Sequence, residues 1–268
     1  MNRPPVQRTA LVTGASSGIG AAVAAALVRR GYRVYGTSRR PGSVAEPVPG
    51  VEYLPLDLAD EASVQACASA VGDVDVLVNN AGESQSGPFE ELPPDAVERL
   101  FRINVFGAVR LTQLLLPGMR GRGYGRVVMV GSMLASFPLA YRSSYVASKA
   151  ALKGFADALR REVSPFGVGV ATVEPGSINT GISERRTQYL RDGSPFAGEY
   201  RTMLTALDAN ESAGISAARV ARTVVRAVEA DRPRPLYAVG SNAPVVFALR
   251  RLFPRSLVLA VVARKHGL

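Results

Sequence analysis

The sequence predicts one α/β domain over residues 1–268: a doubly wound parallel sheet of about seven strands, helices on both faces, and a helical C-terminal extension. Three observations lead there. Short apolar runs alternate with segments of helical period. Gly, Asn and Pro punctuate the boundaries. No internal repeat, low-complexity tract or interdomain linker interrupts the alternation.

Taken in order, Ala10 to Thr13 reads as a buried strand, and Ile19 to Arg30 as an alanine-rich helix stopped by Gly31. Arg33 to Thr37 and Val51 to Leu56 are further strands, and Ser63 to Val71 is helical. Val74 to Asn79 is the fourth strand. Pro94-Asp95 opens a long helix that runs to about Leu116 and stops before Pro117-Gly118. Arg126 to Gly131 is the fifth strand and Ser144 to Val163 a long helix, with Ser143 and Ser144 as N-cap candidates. Val168 to Val173 and Leu236 to Val239 complete the sheet. Right-handed crossovers between parallel strands make it doubly wound. Residues 181–214 exceed a usual connection and mix Arg, Gly, Tyr189, Phe196 and Tyr200, as a substrate lid does.

Composition narrows the chemistry. The single cysteine, Cys67, excludes an internal disulfide framework and any multi-cysteine metal site. The single histidine, His266, excludes a metal site built on several histidines, and a Ser-His-Asp triad would have to use it. Net charge is +10, with lysine only at 149, 153 and 265 and arginine elsewhere, which favours acidic ligands such as phosphates. Neither a signal peptide nor an apolar run near 18 residues is read, and a cytoplasmic location is expected. No motif or aromatic stacking pattern supports nucleic-acid binding.

Two constellations carry chemistry. Thr13-Gly14-Ala15-Ser16-Ser17-Gly18-Ile19-Gly20 links the first strand to the first helix. Glycines there allow a tight turn and close backbone approach to a pyrophosphate, and the helix N-terminus adds donors and positive potential. A phosphate loop in a strand–loop–helix context indicates a Rossmann-type fold. Further on, Tyr145 and Lys149 stand at i and i+4 on one helix face. A phenol ionises near pH 10, and an adjacent ammonium is expected to lower that value. Tyr145 can then exchange a proton with a carbonyl or alcohol oxygen that Ser132 holds, while the hydride comes from a nicotinamide.

The spacing T-G-x-x-x-G-x-G resembles the cofactor loop of the short-chain dehydrogenase/reductase family. Other motifs match in chain order over about residues 9–240: Asn79-Asn80-Ala81-Gly82, Asn104, Ser132, Tyr145 with Lys149, Pro175-Gly176 and Thr180. The resemblance implies Asn104, Ser132, Tyr145 and Lys149 as catalytic residues, with Asn104 holding a helix kink and a water that serves Lys149. It places Asp57 at the adenine amine and Leu58 on the ring. Asn80, Ala81 and Gly82 would line the adenosine ribose. Pro175 and Gly176 would border the cofactor, with Ile178 and Thr180 at the carboxamide and pyrophosphate. Glu174 receives no role.

After the second strand, where an acidic residue would select NAD, stand Ser38, Arg39 and Arg40. Arg39 can pair with a 2′-phosphate and stack on adenine, and Ser38 can donate a hydrogen bond. The arrangement is similar to the NADP-preferring branch, so NADP(H) is the expected cofactor. Residues 242–268 carry five cations and no acid on two short amphipathic helices meeting at Pro254. They either pack onto the core or a subunit neighbour, or touch anionic lipid peripherally. Such tails resemble those of steroid and retinol dehydrogenases, which implies a hydrophobic substrate. The functional expectation is carbonyl–alcohol interconversion by a homo-oligomer, since the two long helices carry spare apolar surface. The alternative is a non-catalytic NADP-binding sensor or scaffold on the same fold.

Overall fold

The computed structural model describes residues 7–179, 181 and 185–268. Among them, seven strands form one parallel sheet: β1 Thr9–Val12, β2 Arg33–Ser38, β3 Val51–Pro55, β4 Val76–Asn79, β5 Gly125–Val130, β6 Val168–Pro175 and β7 Leu236–Val239. Their order across the sheet is β7-β6-β5-β4-β1-β2-β3. The helices are α1 Gly18–Val28, α2 Glu61–Val71, α3 Pro94–Phe101, α4 Gly107–Gly121, α5 Ser143–Val163, α6 Ala197–Ser212, α7 Ala217–Glu229, α8 Ala243–Leu252 and α9 Arg255–Lys265. The single doubly wound sheet is the one the sequence predicts.

Strand alternation assigns each residue a side. Ala10, Val12, Val78 and Val128 face α1 and α7, where Val23, Leu27, Val220 and Val224 are fully buried. Leu11, Leu77, Val127 and Met129 face the opposite layer, packed on Val64, Leu111, Met119 and Leu152. Both faces are covered, so the strands read as continuous apolar runs.

The chain builds outward from β1 to β3, then returns to place β4 against the free side of β1. At this reversal the loops after β1 and β4 diverge and leave a crevice at the strands' carboxyl ends. Thr13 ties the two loops together: its Oγ1 accepts from the backbone N–H of Asn80 at 2.9 Å and of Ala81 at 3.0 Å. The Asn80 amide returns a bond to the Thr13 carbonyl at 2.9 Å.

Four expectations need correction. The helix expected from Asp95 to Leu116 is two helices, α3 and α4, joined by a π-helical turn over Arg102–Phe106. There Gly107 comes so close to the Leu58 carbonyl that a Cβ would sit 2.3 Å from it. The second helix also continues through Pro117 to Gly121. Pro117 is exposed, so solvent can satisfy the carbonyl its ring leaves unpaired, while fully buried Met119 holds the last turn in the core. The N-cap of α5 is Arg142, without a side-chain capping bond, rather than Ser143 or Ser144; Ser144 Oγ instead accepts from Gln85 Nε2 at 2.9 Å. Finally, much of the segment expected as a lid is anchored structure. Tyr200, Met203 and Leu207 of α6 are buried beside Leu139, and Tyr200 Oη lies 2.8 Å from Ser86 Oγ.

Candidate active site

The crevice opens into a cleft of about 1190 Å³ that continues beneath α8 and α9. Gly14 holds a left-handed φ of +66°, and a Cβ there would lie 3.0 Å from Ala81 Cα. A Cβ on Gly20 would fall 2.1 Å from the Gly14 carbonyl oxygen, so only glycine permits this turn. Ser17 caps α1 with extended backbone and no side-chain capping bond, which leaves first-turn N–H donors for an anion at the cleft wall. Gly14, Ser16, Ser17, Gly18 and Ile19 line the cleft. Gly20 does not; its part is close packing. Ser38, Arg39, Asp57, Leu58, Asn80, Ala81, Gly82, Pro175, Gly176 and Ile178 also line it. Thr180 lies outside the described residues.

The reactive groups converge on the same wall. Tyr145, on the first turns of α5, is buried and hydrogen-bonded to the Ser132 side chain at the end of β5. One turn on, buried Lys149 donates from Nζ to the Val130 carbonyl at 3.1 Å. Asn104 sits in the π-turn between α3 and α4. Its Oδ1 accepts from Glu83 N at 2.8 Å, and its Nδ2 donates to the Glu83 carbonyl at 3.0 Å and to Ser148 Oγ at 3.1 Å. These three bonds direct its amide at the β4 loop and α5, and it does not line the cleft. Gly82 completes this corner: a Cβ there would lie 2.9 Å from Asn104 Oδ1 and 3.4 Å from Lys149 Nζ.

The electrostatics differ from the expectation that Lys149 lowers the Tyr145 pKa. Burial dominates and pushes the phenol above its ordinary value; the Arg142 guanidinium is the strongest opposing influence, followed by the Ser132 hydrogen bond. Burial alone brings the Lys149 ammonium down to about 8. Arg142 stacks over the Tyr145 ring, Cζ 4.5 Å from its centroid, whereas Lys149 Nζ stands 5.9 Å away.

The structure adds residues that sequence reasoning missed. Arg142 is one; its only sequence signal is a cation between the apolar stretch Leu139-Ala140-Tyr141 and the helix. Glu174 is another: fully buried, it pairs with Lys153 at 2.9 Å and accepts from Ser136 Oγ at 2.8 Å, bracing the loop that carries Ser132. The third is an apolar wall. Met133 and Phe137 pack against Val246, Phe247, Val258 and Val262 of α8 and α9, with Phe137 and Phe247 edge-to-face at 5.0 Å. The tail therefore packs onto the core and roofs the cleft.

The family model for short chain dehydrogenase matches residues 8–190. The chain belongs to the short-chain dehydrogenase family. A 3-ketodihydrosphingosine reductase of Bacteroides thetaiotaomicron is 32% identical over 244 residues, covering 89% of this chain and 90% of that protein. Human retinol dehydrogenase 8 is 38% identical over 185 residues, covering 65% of this chain and 60% of its own. A short chain dehydrogenase of Burkholderia cenocepacia, solved in complex with NADP, is 28% identical, with a TM-score of 0.77 and coverage of 96% and 97%.

Within this short-chain dehydrogenase the loop after β2 holds one surprise. No carboxylate stands in it, but the fold brings Glu83 from the β4 loop to 3.6 Å from Arg39. Arg99 grips Glu83 more closely, at 2.7 Å, and Arg39 is largely exposed. An exposed pair of this kind is worth about 0–1 kcal/mol, so Glu83 does not tie Arg39 down.

The Lys149 shift carries a testable sign. Below pH 8 the ammonium is charged in both native and unfolded chains. Between 8 and the ordinary 10.5 the native protein releases this proton while the unfolded chain keeps it, so stability due to Lys149 rises with pH. The unfolding free energy of the parent relative to Lys149→Met should therefore climb by up to about 3 kcal/mol from pH 7 to 10. Denaturant titrations at both pH values check it; a flat difference contradicts the buried ammonium.

Proposed function

We propose that this protein is an NADP(H)-dependent oxidoreductase that interconverts a carbonyl and a secondary or primary alcohol on a hydrophobic substrate. One observation carries the reading: Tyr145, hydrogen-bonded Ser132 and Lys149 meet at one wall of a cleft whose other end is a glycine-rich helix N-terminus. The site fits a dinucleotide because Gly14 and Gly20 clear the backbone and α1 offers uncapped donors. When bound, the nicotinamide supplies or accepts the hydride.

The residues of this chain then handle the proton. Burial keeps the Tyr145 phenol neutral near pH 7, the form that donates to a carbonyl oxygen during reduction. Ser132 holds that oxygen. Arg142 and Lys149 offset the negative charge left on the phenol oxygen. Lys149 would hold the nicotinamide ribose, and Asn104 is a positioning residue that bonds Glu83 and Ser148. Ser38 and Arg39 hold the 2′-phosphate, which favours NADP over NAD. The apolar roof of α8 and α9 supports a hydrophobic substrate, as do the names of the ketodihydrosphingosine reductase and the retinol dehydrogenase.

Two exposed apolar faces extend the proposal. Phe106 and Phe155 lie exposed on the α4–α5 side, where copies of the chain are proposed to pair. Val245, Leu252 and Val261 lie exposed on the basic tail, which is proposed to meet anionic lipid. Among the described residues no helix is long and apolar enough to cross a membrane. Light scattering should return a mass above 28.3 kDa, and the tail-deleted chain should float less with anionic vesicles than the full chain.

Tyr145→Phe removes the phenolic hydroxyl, and with it the transferable proton and the hydrogen bond to Ser132. NADPH binding should persist while turnover falls by about 10²–10⁴. A non-catalytic sensor would show no turnover in either protein, so NADPH oxidation across ketones, aldehydes, steroids and quinones separates the two readings.

Arg39→Asp removes a cation from the 2′-phosphate and installs a repelling carboxylate that accepts from the free ribose of NAD. The ratio of kcat/KM for NADPH over NADH should drop at least about tenfold. An unchanged ratio in this variant and in the Arg39/Arg40 double variant overturns the assignment.

A further inference from the structure

The roof over the cleft is fastened at its two ends and open in its middle. Ala243 at the start of α8 is buried, and Phe247 meets Phe137 edge-to-face at 5.0 Å. At the far end His266 is buried, with Nδ1 2.8 Å from the Val262 carbonyl, and Leu268 packs against Tyr200, Met203 and Leu207 of α6. Between these points every residue from 248 to 257 is exposed. α9 buries none of its residues and α8 only Ala243. Helices in proteins take most of their stability from packing an apolar face, and little of that face is covered here.

The uncovered residues are also the rim of the cleft. Leu249, Phe253, Leu257 and Val261 line it and are between 42% and 61% exposed. Single apolar side chains on a surface need no explanation, whereas an apolar rim around the opening of a cavity marks a binding face. Leu252, 77% exposed, extends the patch. Arg250, Arg251, Arg255, Arg264 and Lys265 stand exposed on the same two helices, and residues 242–268 hold no acid. That charge decides between two covers. A second copy seated by a two-fold axis would set its own five cations against these five. An anionic bilayer offers the opposite charge and an apolar interior together.

We infer that the mouth between α8 and α9 docks on an anionic bilayer and is the substrate entrance, so that substrate passes from the acyl region into the cleft without crossing water. The inference rests on the carbonyl–alcohol reading above. It goes beyond adhesion of the tail, because it assigns the source of the substrate and its route. Leu249, Phe253, Leu257 and Val261 enter the acyl boundary, and the arginines meet headgroup phosphates. An apolar substrate then keeps to apolar surface all the way, past Val258 and Val262 to Met133 and Phe137 beside Ser132.

The chain contains no tryptophan, so one introduced indole reports one place. Phe253→Trp sits on the rim; Phe166→Trp, in the turn before β6, is the control. Vesicles of phosphatidylglycerol with phosphatidylcholine, their acyl chains brominated, should quench Phe253→Trp and leave Phe166→Trp unchanged; phosphatidylcholine alone should quench neither. Rates with NADPH are then read for methyl undecyl ketone carried in unbrominated vesicles and for methyl ethyl ketone in solution. Each arginine near an anionic leaflet strengthens binding about fivefold. The parent should therefore reduce the vesicle-borne ketone at least about tenfold faster from anionic than from neutral vesicles, and the soluble ketone equally with both. Arg251 and Arg255 lie outside the cleft lining. Reversing both to Glu should erase the anionic advantage, with soluble-ketone turnover, which also reports folding, kept within about twofold. Flotation without quenching of Phe253→Trp means that another face adheres, and overturns the inference. So does a parent that works equally from both vesicles, or a charge-reversed variant that keeps the advantage. Shielding of Phe253→Trp from acrylamide that grows with protein concentration, and not with vesicles, identifies a second copy on the mouth and overturns it too. If neither ketone turns over, the carbonyl–alcohol reading fails, and bromine quenching alone decides the docking.

Discussion

Burying a phenol, an ammonium and a guanidinium side by side at the carboxyl edge of a parallel sheet removes each from water, and the surrounding structure is organised around that loss of solvation. Lys149 is held by the Val130 carbonyl at the end of β5. Tyr145 is held by Ser132, two residues further along. The shifts follow directly: the phenol moves up, the ammonium moves down, and neither is left in its ordinary titration range. The result is a neutral phenol with a guanidinium and an ammonium close beside its ring.

The site lies where it does because the chain reverses between β3 and β4. Two loops that would otherwise splay are joined by Thr13 and Asn80. This junction aligns the glycine turn of α1 with the loop that carries Gly82 and Glu83. Glu83 is then fixed on both sides of its backbone by Asn104, whose π-turn gives the side chain its angle. A regular helix through the same residues would point Asn104 elsewhere, since one extra residue per turn rotates every later side chain. The fold thereby converts a local irregularity into a link between the β4 loop and α5.

Charge is handled by pairing over distance. Glu174 at the end of β6 is fully buried and meets Lys153 and Ser136. Arg186 is nearly sealed and meets Asp208 and Glu211 from α6. Removing either partner would leave an uncompensated buried charge. Arg142 stands apart because two of its nitrogens lack such a partner. α8 and α9 contribute apolar contacts to Met133 and Phe137, and Arg250 stacks over the Phe137 ring at 5.7 Å.

The sheet, its helices and the glycine-rich turn after β1 were legible in the sequence because each depends on local regularities. A period of two or 3.6 reports which side of a segment is buried, and a four-residue spacing puts Tyr145 and Lys149 on one helix face. Gly14 and Gly20 were legible because no other side chain fits their turn. The helix stop at Pro117 was misread because propensity cannot see that Met119 anchors the next turn in the core. The partners of Glu174, the approach of Glu83 to Arg39 and the cation over Tyr145 were invisible. They join residues distant in sequence, or depend on desolvation that sequence alone does not record. Tertiary structure decided them, because the protonation and pairing of a charged group are set by what surrounds it after folding rather than by its neighbours along the chain.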